Sequence, residues 1–224
     1  MSDSPAPDPV IRRLGLIRAS IARAARTARR EPGSVALIVV TKTHSAEEIA
    51  PLIAAGQRDF GESRVQEARA KWPPLLAAQP GLRLHLIGRL QSNKAVDAVA
   101  LFDTIHSLDR PSLLDALIAA AAKTGRTPSV YVQVNIGEED QKGGIAIADL
   151  PGFVALVRAS PLPLAGLMAI PPAGPEPAPY FALLAKLARR HDVSGLSMGM
   201  SSDFDTAVML GATVVRVGSA LFED

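Results

Sequence analysis

Val35-Ala36-Leu37-Ile38-Val39-Val40-Thr41 is an unbroken apolar run, rich in β-branched residues and set off upstream by Pro32-Gly33. Such a run suits a strand buried on both faces of a parallel sheet. The period then changes. Ser45 with Glu48 three residues on forms a capping box, and Ile49, Leu52 and Ile53 carry a helical stripe to Gly56. The alternation repeats: strands are expected at Arg58–Gly61, Arg83–Ile87 and Asp103–Leu108, each followed by a helix, from about Ser63, Gln91 and Pro111. Ser129–Ile136, Leu164–Ile170, Gly195–Met198 and Thr213–Val217 supply four more strands, with helices near 147–159, 177–191 and 202–210 between them. Eight strands in strict βα order predict an α/β fold, a single closed (β/α)8 TIM barrel rather than an open doubly wound sheet.

Of the 224 residues, 48% are apolar and 21% charged, a balance that buries a sizeable core and excludes disorder as the main state. No linker-like tract splits the chain, so one domain is expected over 10–224, after a flexible segment over 1–9. The absence of cysteine excludes a disulfide framework, a zinc finger, an iron–sulfur cluster and thiol catalysis. No apolar run reaches the ~18 residues of a membrane span, and residues 1–10 lack the features of a secretory signal, so a cytoplasmic protein without a membrane partner is expected.

The isoelectric point near 9.1 suggests nucleic acid, but the charge count does not: 24 Lys and Arg stand against 22 Asp and Glu. Arg12, Arg13, Arg18, Arg23, Arg26, Arg29 and Arg30 lie in one acid-free stretch. With those seven set aside, 17 basic residues face 22 acidic ones, so the body is mildly acidic and no nucleic-acid partner is expected. In that stretch Leu14, Ile17, Ile21, Ala24 and Ala28 share one helical face. It reads as an extra N-terminal helix packed on the domain with its arginines in water, in preference to a membrane-surface, RNA-binding or targeting helix. The Ala and Arg bias of the whole chain favours the packed reading.

Strand parity assigns the barrel interior, because outward side chains must meet apolar helices. Val130, Val132 and Val134 face out, which turns Tyr131, Gln133 and Asn135 inward. Val215 and Val217 likewise turn Arg216 inward, and Lys42 shares the face of Ala36, Ile38 and Val40. Of six lysines, Lys42 alone stands at the carboxyl end of a buried strand, where barrel enzymes place reactive groups. Partial desolvation there would disfavour its charged form, making it a candidate Schiff-base lysine; the alternative is a lysine that simply reaches solvent. Ser197-Met198-Gly199-Met200-Ser201-Ser202-Asp203 and Gly218-Ser219-Ala220 follow the seventh and eighth strands, where barrels commonly bind phosphate, with a helix expected to begin at about Ser202. A lysine, an inward arginine and a phosphate cradle match the aldehyde, ring nitrogen and phosphate of pyridoxal phosphate.

Several ordered segments carry a resemblance over about residues 10–222: Val39-Val40-Thr41-Lys42-Thr43, Gly56-Gln57-Arg58-Asp59-Phe60-Gly61-Glu62, His85-Leu86-Ile87-Gly88-Arg89-Leu90-Gln91-Ser92-Asn93-Lys94, the spacing of Glu139, Lys142 and Gly144, Gly166-Leu167-Met168-Ala169-Ile170-Pro171, Leu196-Ser197-Met198-Gly199-Met200-Ser201, and Val215-Arg216-Val217-Gly218. In these the chain resembles the pyridoxal phosphate homeostasis protein family, related to the barrel domain of alanine racemase. The resemblance implies a fold-type III pyridoxal phosphate protein with Lys42 as the cofactor lysine, Arg216 beside the ring nitrogen, and Ser201, Gly218 and Ser219 at the phosphate. Ser63, where the family usually has Asn, is expected near the ring hydroxyl; Met200 and His85 complete the cofactor-binding set, His85 inward beneath the site in a structural hydrogen bond. Leu84 and Leu86 replace an aromatic pair of the family. Lys142 is either a mobile second anion contact or a solvated loop charge, and residues 171–179 form a stiff Pro-rich connector. His44, His106 and His191 show no metal-ligand spacing, so no metal is expected.

The resemblance implies a monomeric protein that holds pyridoxal phosphate as a reversible Schiff base on Lys42, limits the free aldehyde and hands it to pyridoxal-dependent acceptor enzymes, with no catalytic residues of its own. The alternative is a fold-type III enzyme such as an amino-acid racemase; against it, racemisation needs an acid/base on the opposite cofactor face, which the related racemases take from a second domain.

Overall fold

The computed structural model describes residues 8–223. Residues 1–7 of the segment expected to be flexible lie outside that range. Asp8 caps the first helix and Pro9 begins it: the Asp8 carboxylate accepts the Val10 N–H at 3.0 Å, and Pro9 opens α1 (Pro9–Thr27), where its missing N–H costs nothing.

Eight parallel strands form a closed barrel in chain order: β1 (Ala36–Val40), β2 (Asp59–Glu62), β3 (Arg83–Leu86), β4 (Thr104–Leu108), β5 (Ser129–Gln133), β6 (Leu164–Met168), β7 (Gly195–Ser197) and β8 (Val214–Val217). Closure comes from β1 against β8, with Ile38 beside Arg216. Between the strands run α2 (Ala46–Ala54), α3 (Val65–Ala78), α4 (Ala95–Leu101), α5 (Pro111–Thr124), α6 (Leu150–Ala159), α7 (Ala178–Arg190) and α8 (Phe204–Met209), and the short α9 (Ser219–Phe222) follows β8. Most strands stop one to three residues before the expected end, because those last residues leave the sheet to build the mouth loops. The helix expected from Gln91 begins as a 3-10 turn, Ser92–Lys94.

Parity divides the core as the apolar pattern requires. Leu37, Val39, Val130, Val132, Val215 and Val217 join the buried layer between barrel and helices, while Ile38, Tyr131, Met168 and Val214 form a separate cluster inside the barrel. Gly61 makes room for it: a Cβ there would lie 2.8 Å from Ile38 Cγ2.

α1 buries Leu14, Ile17, Ile21, Ala24 and Ala25. Ala28, assigned to that face from its spacing, caps the helix end instead. The arginines do not all face water as expected. Arg18 Nη2 donates to Gln57 Oε1 at 2.9 Å, Arg30 Nη1 to Val208 O at 2.9 Å and Arg13 Nη1 to Leu221 O at 3.3 Å. Long side chains that lay their stems on the domain and deliver a cation to a carbonyl fasten the helix to the barrel. No described helix is long and apolar enough to cross a membrane.

Candidate functional site

At the carboxyl ends of the strands a cavity of about 530 Å³ is lined by Lys42, Ser63, Met200, Ser201, Arg216, Gly218 and Ser219, with Ile87 and Ile170 as apolar wall. Seven of the eight residues singled out in the sequence therefore meet in one place. A cavity of about 410 Å³ at the opposite face, between Arg158 and Ser194, gathers none of them.

Lys42 sits just beyond β1 in a turn closed by the His44 N–H on Thr41 O at 3.1 Å. Thr43 takes φ 69°, a left-handed conformation that a β-branched residue rarely adopts and that needs external support. Lys71 on α3 supplies it: its Nζ donates to Thr41 O at 2.7 Å and His44 O at 2.9 Å, clamping both ends of the turn. The clamp rests on Glu62, fully buried at the end of β2, whose Oε1 pairs with Lys71 at 2.7 Å and accepts from Thr41 Oγ1 at 2.7 Å and Trp72 Nε1 at 2.9 Å. Lys42 itself is exposed, so the desolvation expected of the mouth is not provided by the protein alone.

Arg216 is buried on the barrel's inner face; its Nη1 donates to Ser197 Oγ and its Nη2 to Ala169 O at 3.1 Å. Burial draws the guanidinium down to about 10. Beneath it runs a polar chain: Ser197 Oγ lies 2.9 Å from His106 Nδ1, His106 Nε2 lies 3.1 Å from His85 Nδ1, and His85 Nε2 lies 3.0 Å from Asp59 Oδ1. Only one proton arrangement satisfies every member with both rings neutral: Arg216 donates to Ser197, Ser197 to His106, His106 to His85 and His85 to Asp59. Burial above all, with His85 and the Arg216 guanidinium close by, pushes His106 well below the usual histidine range. Burial would raise the Asp59 carboxyl, but His85 and Arg83 outweigh it and hold it at about 2. His85 does not line the mouth cavity; it lies beneath it, with both ring nitrogens engaged by His106 and Asp59.

After β7, the helix expected from Ser202 starts at Phe204, and the carboxylate of Asp203 accepts the Met200 N–H at 2.6 Å. No helix start is therefore presented at Ser202, and the converging backbone N–H groups of this wall lie at the end of β8. There the Gly218 and Ala220 N–H groups converge on Ser201 Oγ at 3.3 and 3.2 Å, so the backbone already holds an acceptor oxygen. Ser63 is half-buried on the opposite wall, where Gly88 packs so closely that a Cβ would lie 2.2 Å from Ser63 O. Lys142 answers to neither sequence reading: it pairs with Glu139 at 2.6 Å and donates to Pro171 O at 3.1 Å, outside the cavity. Among the described residues no cluster of three or more His, Asp or Glu is placed to hold a metal ion.

Sequence inspection missed Lys71, Glu62, Asp59 and His106. A charged residue ending a buried strand signalled Glu62, and inward parity with His85 signalled His106; nothing local marked Lys71.

A (β/α)8 barrel with a lysine, a buried arginine and glycine- and serine-rich loops around one mouth defines a barrel of the alanine racemase N-terminal type. The model of that family, described as alanine racemase, N-terminal domain, matches residues 13–224. A pyridoxal phosphate homeostasis protein of Pseudomonas aeruginosa is 40% identical over 213 residues, covering 92% of this chain and 91% of its own. Its Escherichia coli K12 counterpart is 37% identical over 219 residues, covering 93% and 94%. PipY of Synechococcus elongatus, solved with pyridoxal phosphate bound, superposes with a TM-score of 0.77 at 42% identity, over 90% of this chain and 99% of that one. The chain belongs to the pyridoxal phosphate homeostasis protein family.

Proposed function

We propose that this protein binds pyridoxal 5'-phosphate reversibly and covalently at Lys42 and serves intracellular homeostasis of that cofactor. The observation that carries the reading is the convergence of Lys42, Arg216 and the Ser201/Gly218/Ser219 cradle on one cavity of about 530 Å³, a size suited to a small-molecule ligand. When bound, pyridoxal phosphate supplies an aldehyde that condenses reversibly with a primary amine, its oxygen leaving as water. The residues present fit it. The Lys71 clamp fixes where the Lys42 amine emerges. Arg216, a buried cation donating toward the barrel base, would hold the ring nitrogen and disfavour its protonation. Gly218 and Ala220 N–H groups, already converged on one oxygen, would hold the phosphate with Ser201 and Ser219, while Ser63 and Met200 complete the walls.

The carrier reading is supported by the names of the relatives and by the absence of a tyrosine from the cavity wall among the described residues. It extends to a cytoplasmic monomer that passes the cofactor to pyridoxal-dependent acceptor enzymes. Borohydride treatment of the purified, cofactor-loaded protein tests it. The visible absorption should be lost and a reduced adduct fixed on the Lys42 peptide by mass spectrometry; an adduct on Lys94 or Lys142 alone overturns the assignment. Deuterium exchange at the α-carbon of candidate amino acids separates the readings, since turnover near the ~10 s⁻¹ typical of enzymes would make the protein a racemase-type catalyst.

A further inference from the structure

Beside the mouth, on the β2–β4 side of the same face, lies a second cavity of about 580 Å³. Its wall brings together Arg64, Arg89, Lys94 and Arg110 and includes no carboxylate. Ser63 is common to both cavities, so the two adjoin. Two of these cations are balanced nearby. Arg64 pairs with Glu67 at 2.9 Å, and Arg110 pairs with Asp109 at 2.6 Å while donating to Leu90 O at 3.0 Å, which fixes its guanidinium at the cavity edge. Arg89 and the half-buried Lys94 have no ion-pair or side-chain hydrogen-bond partner among the described residues.

Two unbalanced positive charges in a concave wall attract about two negative charges, and a small concavity selects a compact anion over an extended polyanion. Guanidinium forks and an ammonium arriving from three separate loops suit tetrahedral oxygens, which accept from several directions, better than a planar carboxylate. The first residues of α3, Val65 and Gln66, also line the cavity, and Arg64 at the head of that helix makes no side-chain cap, so backbone N–H groups add to the same field. We propose that this cleft is a second anion site that takes the phosphate of a phosphate monoester or free phosphate, separate from the mouth and open to it.

This inference does not depend on the assignment of Lys42. Titrating the full-length protein with inorganic phosphate at constant ionic strength should shift the backbone amides of 64–66 and 89–94 saturably. The double variant Arg89→Ser/Lys94→Ser should weaken that response about tenfold or more, since each lost charge-assisted contact is a large effect, while leaving shifts at 218–220 unchanged. Lys94→Ser alone should fall between. Shifts matched by chloride at the same ionic strength, or an undiminished response in the double variant, would overturn the site. Repeating the titration with pyridoxal phosphate on protein whose mouth is already blocked by borohydride-fixed cofactor separates the sources. Binding at least tenfold tighter than inorganic phosphate supports the cleft as a waiting site for cofactor, and equal binding supports it as a site for free phosphate.

Discussion

His106 and Arg216 meet on a single hydroxyl: Ser197 Oγ receives a hydrogen bond from the Arg216 guanidinium and lies 2.9 Å from His106 Nδ1. A hydroxyl that accepts from a cation still has its own proton to place, and His106 Nδ1 is its other partner, so pairing every group requires a bare nitrogen there. A protonated His106 would leave the Ser197 proton without an acceptor in a fully buried place.

His106 should therefore stay neutral through the range in which a free histidine titrates, near 6.5, with its Nδ1 unprotonated. Nitrogen chemical shifts of the ring across pH 5–8 check both points. Because the unfolded chain takes up this proton and the folded one does not, its contribution to stability is lost as the pH falls below about 6.5. His106→Leu strands the Ser197 hydroxyl and His85 Nδ1, at a cost of about 1–3 kcal/mol for each group left unpaired.

Asp59 predicts the opposite end of the same chain. Its carboxyl, held at about 2, titrates near 3.9 when unfolded, so the stability it contributes is complete above about pH 4 and disappears toward pH 2. Asp59→Asn should flatten that part of the acid denaturation profile by roughly 2 kcal/mol. A profile of unchanged slope would mean that Arg83 and His85 do not stabilise the carboxylate in solution.

Lys71→Met removes the cation beside a fully buried carboxylate, and such breakage typically costs about 3–5 kcal/mol. Urea denaturation measures it. Glu62→Gln should cost less, since the amide oxygen can still accept from Trp72 and Thr41. Both variants free the turn around Lys42, so cofactor affinity should fall even in protein that remains folded.

Pyridoxal without its phosphate should bind about a hundredfold or more weakly. Charge-assisted hydrogen bonds contribute roughly 1.5–3 kcal/mol each, so losing two of them exceeds two decades in affinity. Equilibrium dialysis of both compounds decides it, and near-equal affinities would reduce Ser201 to a cap for the last short helix.

The barrel was legible in the sequence because each strand is an apolar run of distinct period from the helix that follows, and the capping box at Ser45 and Glu48 forms as read, with Ser45 N–H on Glu48 Oε2 at 2.7 Å. Parity correctly turned Arg216 and Tyr131 inward. What escaped were relationships that local sequence does not encode. Lys71 lies on a helix face that could as well be solvated, and only closure of the ring brings it under Thr41 and His44. The displaced start of α8 follows from Asp203 reaching back to the Met200 N–H, a side-chain choice invisible to periodicity. His85 was placed inward, but its depth depends on β3 pairing Gly61 with His85, which sets it a layer below the mouth.

The Arg13 contact to Leu221 spans 208 residues, and α1 buries its stripe against α8 and α9. During synthesis that helix emerges well before its docking surface. Until α8 and α9 arrive, the stripe of leucine and isoleucine on α1 is covered only in part, by α2, and until β8 arrives β1 lacks one neighbour. A ribosome-bound chain of this protein should thus remain recognisable to chaperones until α8, β8 and α9 have emerged, then gain its closed form in one late step.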